Sequence, residues 1–155
     1  MMKLLTIMSS KSDWLERVCR EYAEKINHFE KFELVQIKSS KLAREDAQAK
    51  KKAESESILK ALKSDDYVIL FDERGLAQSS VQFAKKIEKL HTSGTRRITF
   101  VVGGAFGVDE SVQKRAQESW KLSELVMNHH VALTVSLEQI YRAFTIIKNK
   151  PYHNE

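Results

Sequence analysis

Two short runs constrain this chain more than anything else in it: "YVILF" at residues 67–71 and "RITFVV" at residues 97–102. Neither alternates polar with apolar residues as a half-exposed strand would, so both of their faces must be covered. Between them, "SSVQ" offers Ser79 as a helix N-cap with Gln82 three residues on. Phe83, Ala84, Ile87 and Leu90 then recur at helical spacing. A buried strand, a helix and a second buried strand imply a parallel sheet with helices packed on it.

The alternation continues in both directions. Residues 3–8 form a short apolar strand. "DWLE" offers Asp13 and Glu16 as a capping box for a helix with Leu15, Val18, Cys19, Tyr22 and Ile26 inside, and residues 32–37 alternate as a strand. Residues 42–63 read as a long charged helix, apolar mainly at Ile58, Leu59 and Leu62, with a solvent-facing or mobile front half. Further on, a turn passes through Gly75, a short helix opens at Asp109, and "VALTV" at 131–135 reads as a last strand. "SLEQ" offers Ser136 and Gln139 as another capping box. The closing helix turns Leu137, Ile140, Tyr141, Phe144 and Ile147 inward and should stop before the only proline, Pro151. The expected fold class is α/β, a mostly parallel sheet with helices on both faces. The 155 residues, with no repeat or linker, make one expected domain over 1–155.

Composition removes some classes of function. No apolar run approaches the roughly 20 residues of a membrane-spanning helix. The opening "MMKLLTIM" is basic and then apolar, but its apolar part falls short of the roughly 7–15 residues of a signal-peptide core, so a cytoplasmic location is expected. The single cysteine, Cys19, permits no internal disulfide and reads as a packed thiol on a helix face. Lys and Arg exceed Asp and Glu by 26 to 21, a net charge of +5 that leans modestly towards polyanions.

Three clusters carry possible chemistry. In "VVGGAFGV", residues 101–108, a strand stops on adjacent glycines, Gly103 and Gly104, with Gly107 shortly after. Open α/β sheets bind ligands beyond such strand ends, and backbone without Cβ atoms can approach a ligand closely. A tight structural turn fits the same residues equally well. No Gly-Lys-Ser/Thr follows, so this is not a P-loop, and Val102 stands where a dinucleotide fingerprint needs glycine. The second cluster, "SWKLSELVMNHH" at 119–130, is apolar but too irregular for an amphipathic helix and reads as a loop packed on something. In the third, Glu138 and Arg142 share a helix face four residues apart, and "PYH" follows at 151–153. His129 and His130 are adjacent and no His, Cys or Asp set has ligand spacing, so no metal is expected.

Taken together, "VVGGAFGV", "SWKLSEL" at 119–125, "LEQIYRAF" at 137–144 and "PYH" resemble the RlmH family of SPOUT methyltransferases of large-subunit ribosomal RNA, with weaker agreement at Lys11, Trp14 and Tyr22. The resemblance implies a C-terminal trefoil knot, a homodimer and S-adenosylmethionine as cofactor. The implied reaction is methylation of N3 of a pseudouridine in a 23S rRNA hairpin loop of the assembled ribosome. Carried over by position, the cofactor would meet Phe71, Gly103, Gly104 and the loop of Leu122, Ser123, Glu124, Leu125, Val126 and Met127. Arg142, Tyr152 and His153, with Glu138 orienting Arg142, would serve catalysis or substrate binding, and one subunit's tail could complete the other's pocket. Lys50–Lys52, Lys85, Lys86, Arg96 and Arg97 are candidate phosphate contacts. The chain departs from the family pattern at Phe71 (usually Leu), Asn128 (Pro), Leu133 (often basic) and Ser9 or Ser10 (Gly). Loss of the basic residue at 133 would weaken RNA contact or shift it to a neighbour such as His130. The competing readings are a non-catalytic ribosome- or RNA-binding module and an α/β nucleotide-binding protein of another kind.

Overall fold

The computed structural model describes residues 1–8, 10, 12–43 and 45–153. Ser9 and Lys11, two positions of the family comparison, lie outside the described residues. In chain order the elements are β1 Met2–Met8, α1 Asp13–Asn27, β2 Phe32–Lys38, α2 Ala47–Ala61, β3 Tyr67–Ala77, α3 Ser80–Thr92, β4 Ile98–Val102, α4 Glu110–Arg115, β5 Glu118–Lys121 and α5 His129–Ile147. The strands form one sheet in the order β2-β1-β4-β3-β5. Every pairing in it is parallel.

Strand periodicity divides the core. Leu4, Ile69, Phe100 and Trp120 meet α1, α3 and α5 on one face of the sheet. Their chain neighbours Leu5, Leu70 and Val101 meet Ile58 of α2 and Val112 of α4 on the other. The two apolar runs of β3 and β4 are therefore covered on both sides, as their composition requires. The same arrangement is compatible with the C-terminal knot that the family resemblance implies. No helix among the described residues is long and apolar enough to cross a membrane. Cys19 is buried, and burial pushes its thiol up to about 11.

Several local expectations are corrected. Residues 131–135 are helical, because α5 starts eight residues before Leu137 and Leu133 falls on its buried stripe with Leu137, Ile140 and Phe144. A short run of β-branched residues does not distinguish strand from buried helix. Ser136 is consequently no cap: its Oγ donates to the Ala132 carbonyl one turn back, at 2.7 Å. The cap is Asn128, whose Oδ1 accepts the Val131 N–H at 3.0 Å, so the Pro-to-Asn departure keeps a good helix start. At α1 the N-cap is Ser12, with no side-chain cap bond, rather than Asp13. α2 begins at Ala47 under an Asp46 cap, and its front half is not wholly solvent-facing, since Glu54 and Ser55 are buried. β3 runs on through Gly75 with a shift in its register against β5, a strand the irregular 119–130 segment concealed. The Ser79–Gln82 capping box of α3 forms as expected. Leu133 is fully buried in the core, so its departure from a basic residue concerns packing and not a surface contact.

Candidate functional site

The carboxyl ends of β4 and β5 and the middle of β3 border one cleft of about 610 Å³. After Val102 the chain turns tightly: the Gly107 N–H donates to the Gly104 carbonyl at 3.0 Å, and Gly107 sits at φ +71°, where a side chain would be strained. What the bare glycines make room for is partly the protein itself. A Cβ on Gly104 would lie 2.3 Å from Glu54 Oε2, and one on Gly103 would lie 3.0 Å from Gly107 backbone and Val108 Cγ1. The turn can press onto α2 only because Gly104 lacks that carbon, and it can fold this tightly on itself only because Gly103 does. The structural-turn and ligand-binding readings of this segment are therefore compatible.

Of the residues expected to meet a cofactor, Phe71, Gly103, Gly104, Leu122, Ser123 and Met127 line the cleft. Glu124, Leu125 and Val126 do not. Leu125 and Val126 form the crest of the loop, 79% and 81% exposed, and Glu124 pairs with Lys121 at 2.5 Å. Phe71 stacks on Phe100 with ring centres 5.6 Å apart, so the larger side chain in place of Leu is absorbed by an aromatic cluster. The sequence reading missed Asp72, Glu73, Arg74, Ala105, Phe106, Asn128, His129 and Ala132, which also line the cleft, as does Lys51, expected only as a phosphate contact. "DERG" reads as an ordinary polar turn, and only the continuation of β3 brings it to the mouth. There Arg74 donates from Nε and Nη2 to the two Asp72 oxygens, each at 2.9 Å, which holds the Asp72 carboxyl below its ordinary range. Burial, aided by His130, holds the His129 imidazole below its ordinary range against an opposing pull from Glu54.

The four expected catalytic side chains do come together, although away from the cleft. Glu138 Oε1 accepts from Arg142 Nε at 2.9 Å and Nη2 at 2.7 Å, and from the Tyr152 hydroxyl at 3.3 Å. The remaining guanidinium edge reaches His153 Nδ1 at 3.2 Å, and the Arg142 carbon stands 4.8 Å over the Tyr152 ring. Glu138 thereby raises the Arg142 pKa further above its usual value. Tyr152 is held edge-on by Tyr141, and burial with Tyr152 and Glu138 pushes the nearby Tyr22 hydroxyl up to about 12. At ~1.5 Å per residue, Arg142 lies roughly 20 Å along α5 from His129. None of the four lines the cleft within this chain.

The candidate phosphate contacts divide. Lys50 donates inward to the Ser40 carbonyl at 2.7 Å, Lys86 pairs with Glu118, and Arg97 pairs with Asp65 and Asp66. Lys52, Lys85 and Arg96 are exposed, while Lys51 lines the cleft. No group of three or more His, Cys, Asp or Glu among the described residues could hold a metal.

Residues 1–153 match the family described as predicted SPOUT methyltransferase. The chain is 52% identical over 151 residues to a ribosomal RNA large subunit methyltransferase H of Bdellovibrio bacteriovorus, covering 97% of each protein. It is 38% identical to the protein of that name from Parabacteroides distasonis, covering 99% of this chain and 100% of the other. Among solved structures it is similar in fold to a probable methylase family protein from Haemophilus influenzae, with a TM-score of 0.56, 18% identity, and coverage of 99% of this chain and 70% of that one.

Proposed function

Because the chain belongs to the SPOUT methyltransferase family, we propose that it methylates large-subunit ribosomal RNA. In this reading it uses S-adenosylmethionine and modifies N3 of a pseudouridine in a hairpin loop of the assembled ribosome. Proteins named for large-subunit rRNA methylation are similar to it from end to end. The observation that carries the reading is the cleft itself. Its ~610 Å³ suit a ligand of nucleoside size. Phe71, Leu122 and Met127 offer apolar contact for a purine, while the 103–107 turn offers main chain. When bound, the donor supplies a methyl group already activated by its sulfonium, so the protein's task is chiefly orientation, worth about 7–11 kcal/mol.

The target nitrogen carries a proton that must leave. His153 or Tyr152 would assist its departure, directly or through water, and Arg142 would stabilise negative charge on the uracil oxygens while Glu138 fixes the guanidinium plane. Those groups stand far along α5 from the cleft of their own chain. We therefore place the complete active site in a homodimer, where the tail of one subunit meets the cleft of its partner. The rest of this proposal is a single domain over residues 1–155, a knotted C-terminal half, and work in the cytoplasm. RNA recognition would fall on an unstacked loop base, since an A-form duplex hides its bases.

Radiolabel transfer from S-adenosylmethionine to ribosomes lacking the modification tests the reading. Label in the large-subunit RNA is the expected result. Tight ribosome binding without transfer would point to a non-catalytic module, and calorimetry favouring ATP or NAD would point to another nucleotide-binding protein.

A further inference from the structure

Charge in the cleft lining is confined to one side. Lys51 comes from α2, and Asp72, Glu73 and Arg74 come from β3, whereas the wall of residues 122–132 places no Asp, Glu, Lys or Arg in it. Helix and strand periodicity bring two of these groups to one corner. Ile58 of α2 and Leu70 of β3 belong to the same buried cluster. Lys51 lies two helical turns before Ile58 on the same face of α2, and Asp72 follows Leu70 on the same face of β3. Each side chain therefore continues that packed interface past its apolar end, into the cleft that both line.

The bonding of both groups is incomplete. Asp72 Oδ1 accepts the Arg74 backbone N–H and Arg74 Nε, each at 2.9 Å, while Oδ2 accepts only Arg74 Nη2, also at 2.9 Å. An ionised carboxylate has about four acceptor positions, so one is left on Oδ2. The acid is 11% exposed and Arg74 is 69% exposed, so the carboxylate is fixed by a guanidinium that stands largely in solvent. Lys51 makes no hydrogen bond or ion pair among the described residues. Its charge joins that of Arg74, the stronger influence, in keeping Asp72 ionised.

We propose that Lys51 and Asp72 read the α-amino-acid end of the methyl donor: Lys51 Nζ donates to its carboxylate, and its ammonium donates to Asp72 Oδ2. The assignment rests on the donor reading given above. An α-amino acid carries two opposite charges on one carbon. A cation without a partner and a carboxylate with one free acceptor position, in the same corner, match it in sign and number. The nucleoside end is left to the apolar contacts of Phe71, Leu122 and Met127. A nucleotide with a phosphate chain brings several negative charges and no cation, so Asp72 and Glu73 repel it, and the corner selects a zwitterion against a polyanion.

The test is calorimetry on the full-length parent, Lys51→Met and Asp72→Asn, with S-adenosylmethionine, S-adenosylhomocysteine and 5′-methylthioadenosine. The last keeps adenosine and sulfur but lacks the amino acid. The parent should bind S-adenosylhomocysteine at least about tenfold more tightly than methylthioadenosine. Each variant should weaken both amino-acid ligands by about tenfold, as expected for a lost charge-assisted bond, and hold methylthioadenosine within about twofold. Equal loss for all three ligands means a displaced cleft wall and overturns the assignment. Loss for S-adenosylmethionine alone means that the residue answers the sulfonium charge, and it overturns the assignment too, as does no loss at all. Lys52→Met removes the same charge from an exposed neighbour and should bind all three ligands like the parent. If it matches Lys51→Met, net charge explains the effect and the assignment falls. A parent that binds none of the three overturns the donor reading itself. Lys51→Met breaks no bond among the described residues, so it decides the question even if Asp72→Asn does not fold.

Discussion

The two ends of α5 carry two groupings of residues built by opposite means. At the first turn, His129 and Ala132 face a cleft whose walls are largely main chain and apolar side chain. From its middle onward, Glu138 and Arg142 pair with each other and hold the tail, Glu138 through the Tyr152 hydroxyl and Arg142 through His153. The difference separates what each region tolerates. A main-chain site is indifferent to many side chains and intolerant of added volume. A side-chain cluster is intolerant of altered donor geometry and indifferent to volume at its solvent edge.

The largest effect expected from this contrast is at Gly104. Gly104→Val puts a branched side chain where even a Cβ would lie 2.3 Å from a buried carboxylate oxygen, so the turn must move. Donor affinity by calorimetry should fall about 100-fold or more, the scale of a displacement near 1 Å. By contrast, Leu125→Ala and Val126→Ala, on the exposed crest of the covering loop, should leave it within about twofold. A folded Gly104→Val protein with unchanged affinity would break the account of the cleft.

The next effect belongs to the other end. Arg142→Lys keeps charge but loses the paired Nε and Nη2 bonds to Glu138. Methyl transfer should fall by about 100-fold, a typical consequence of losing one charge-stabilising donor, with donor affinity unchanged. Equal loss of both would mean that the two regions are one site within a single chain. Mixed dimers sharpen this further. Equal amounts of Gly104→Val and Arg142→Ala subunits, each inactive alone, should regain about a quarter of parental activity if cleft and cluster meet across a two-fold axis. Recovery requires each cleft to use the partner's tail.

The same contrast explains what the sequence disclosed. Both buried strands, the α3 capping box and the cluster of Glu138, Arg142, Tyr152 and His153 were legible, because each depends on residue type at fixed spacing or on a motif shared with a family. The cleft was only half legible. Gly103 and Gly104 announce themselves, but what they press against is Glu54, almost fifty residues earlier on a helix whose local pattern looks solvated. Asp72 and Arg74 reach the mouth because β3 continues past its apolar part, which no hydrophobic period signals. Residues 131–135 failed for a related reason: β-branched residues suit a strand locally, and only the tertiary position of Leu133 makes them helix.

A smaller effect, on stability, links both ends of α5. Burial holds His129 at the first turn and His91, which packs 6.2 Å from Phe144 further along, below the ordinary imidazole range. Both are therefore kept neutral in the folded state where the unfolded chain already binds a proton. Stability should be full above the unfolded value near 6.5 and fall as pH drops from there towards the folded values. Urea midpoints at about pH 7.5 and 5.5 measure it, and His91→Gln should remove part of the slope without touching donor affinity. A midpoint that rises on acidification would contradict the assignment of both imidazoles.

The smallest expected effect lies within the cluster and asks how much of it is the hydroxyl of Tyr152. That oxygen contacts Glu138 at 3.3 Å, the longest of the bonds to a carboxylate oxygen already holding Arg142 at 2.7 and 2.9 Å. The ring does more, standing under the guanidinium and against Tyr141. Tyr152→Phe keeps both ring contacts and removes one weak neutral donor, so transfer should fall only severalfold, in line with about 0.5–1.5 kcal/mol. Tyr152→Ala, which removes the aromatic face as well, should cost about tenfold more. If Phe proves as damaging as Ala, the hydroxyl itself handles the N3 proton, and His153 is left to orient Arg142. If Phe is mild while His153→Ala abolishes transfer at unchanged donor affinity, the proton leaves through the imidazole. The pair of substitutions thus assigns the base within a cluster whose geometry admits either group.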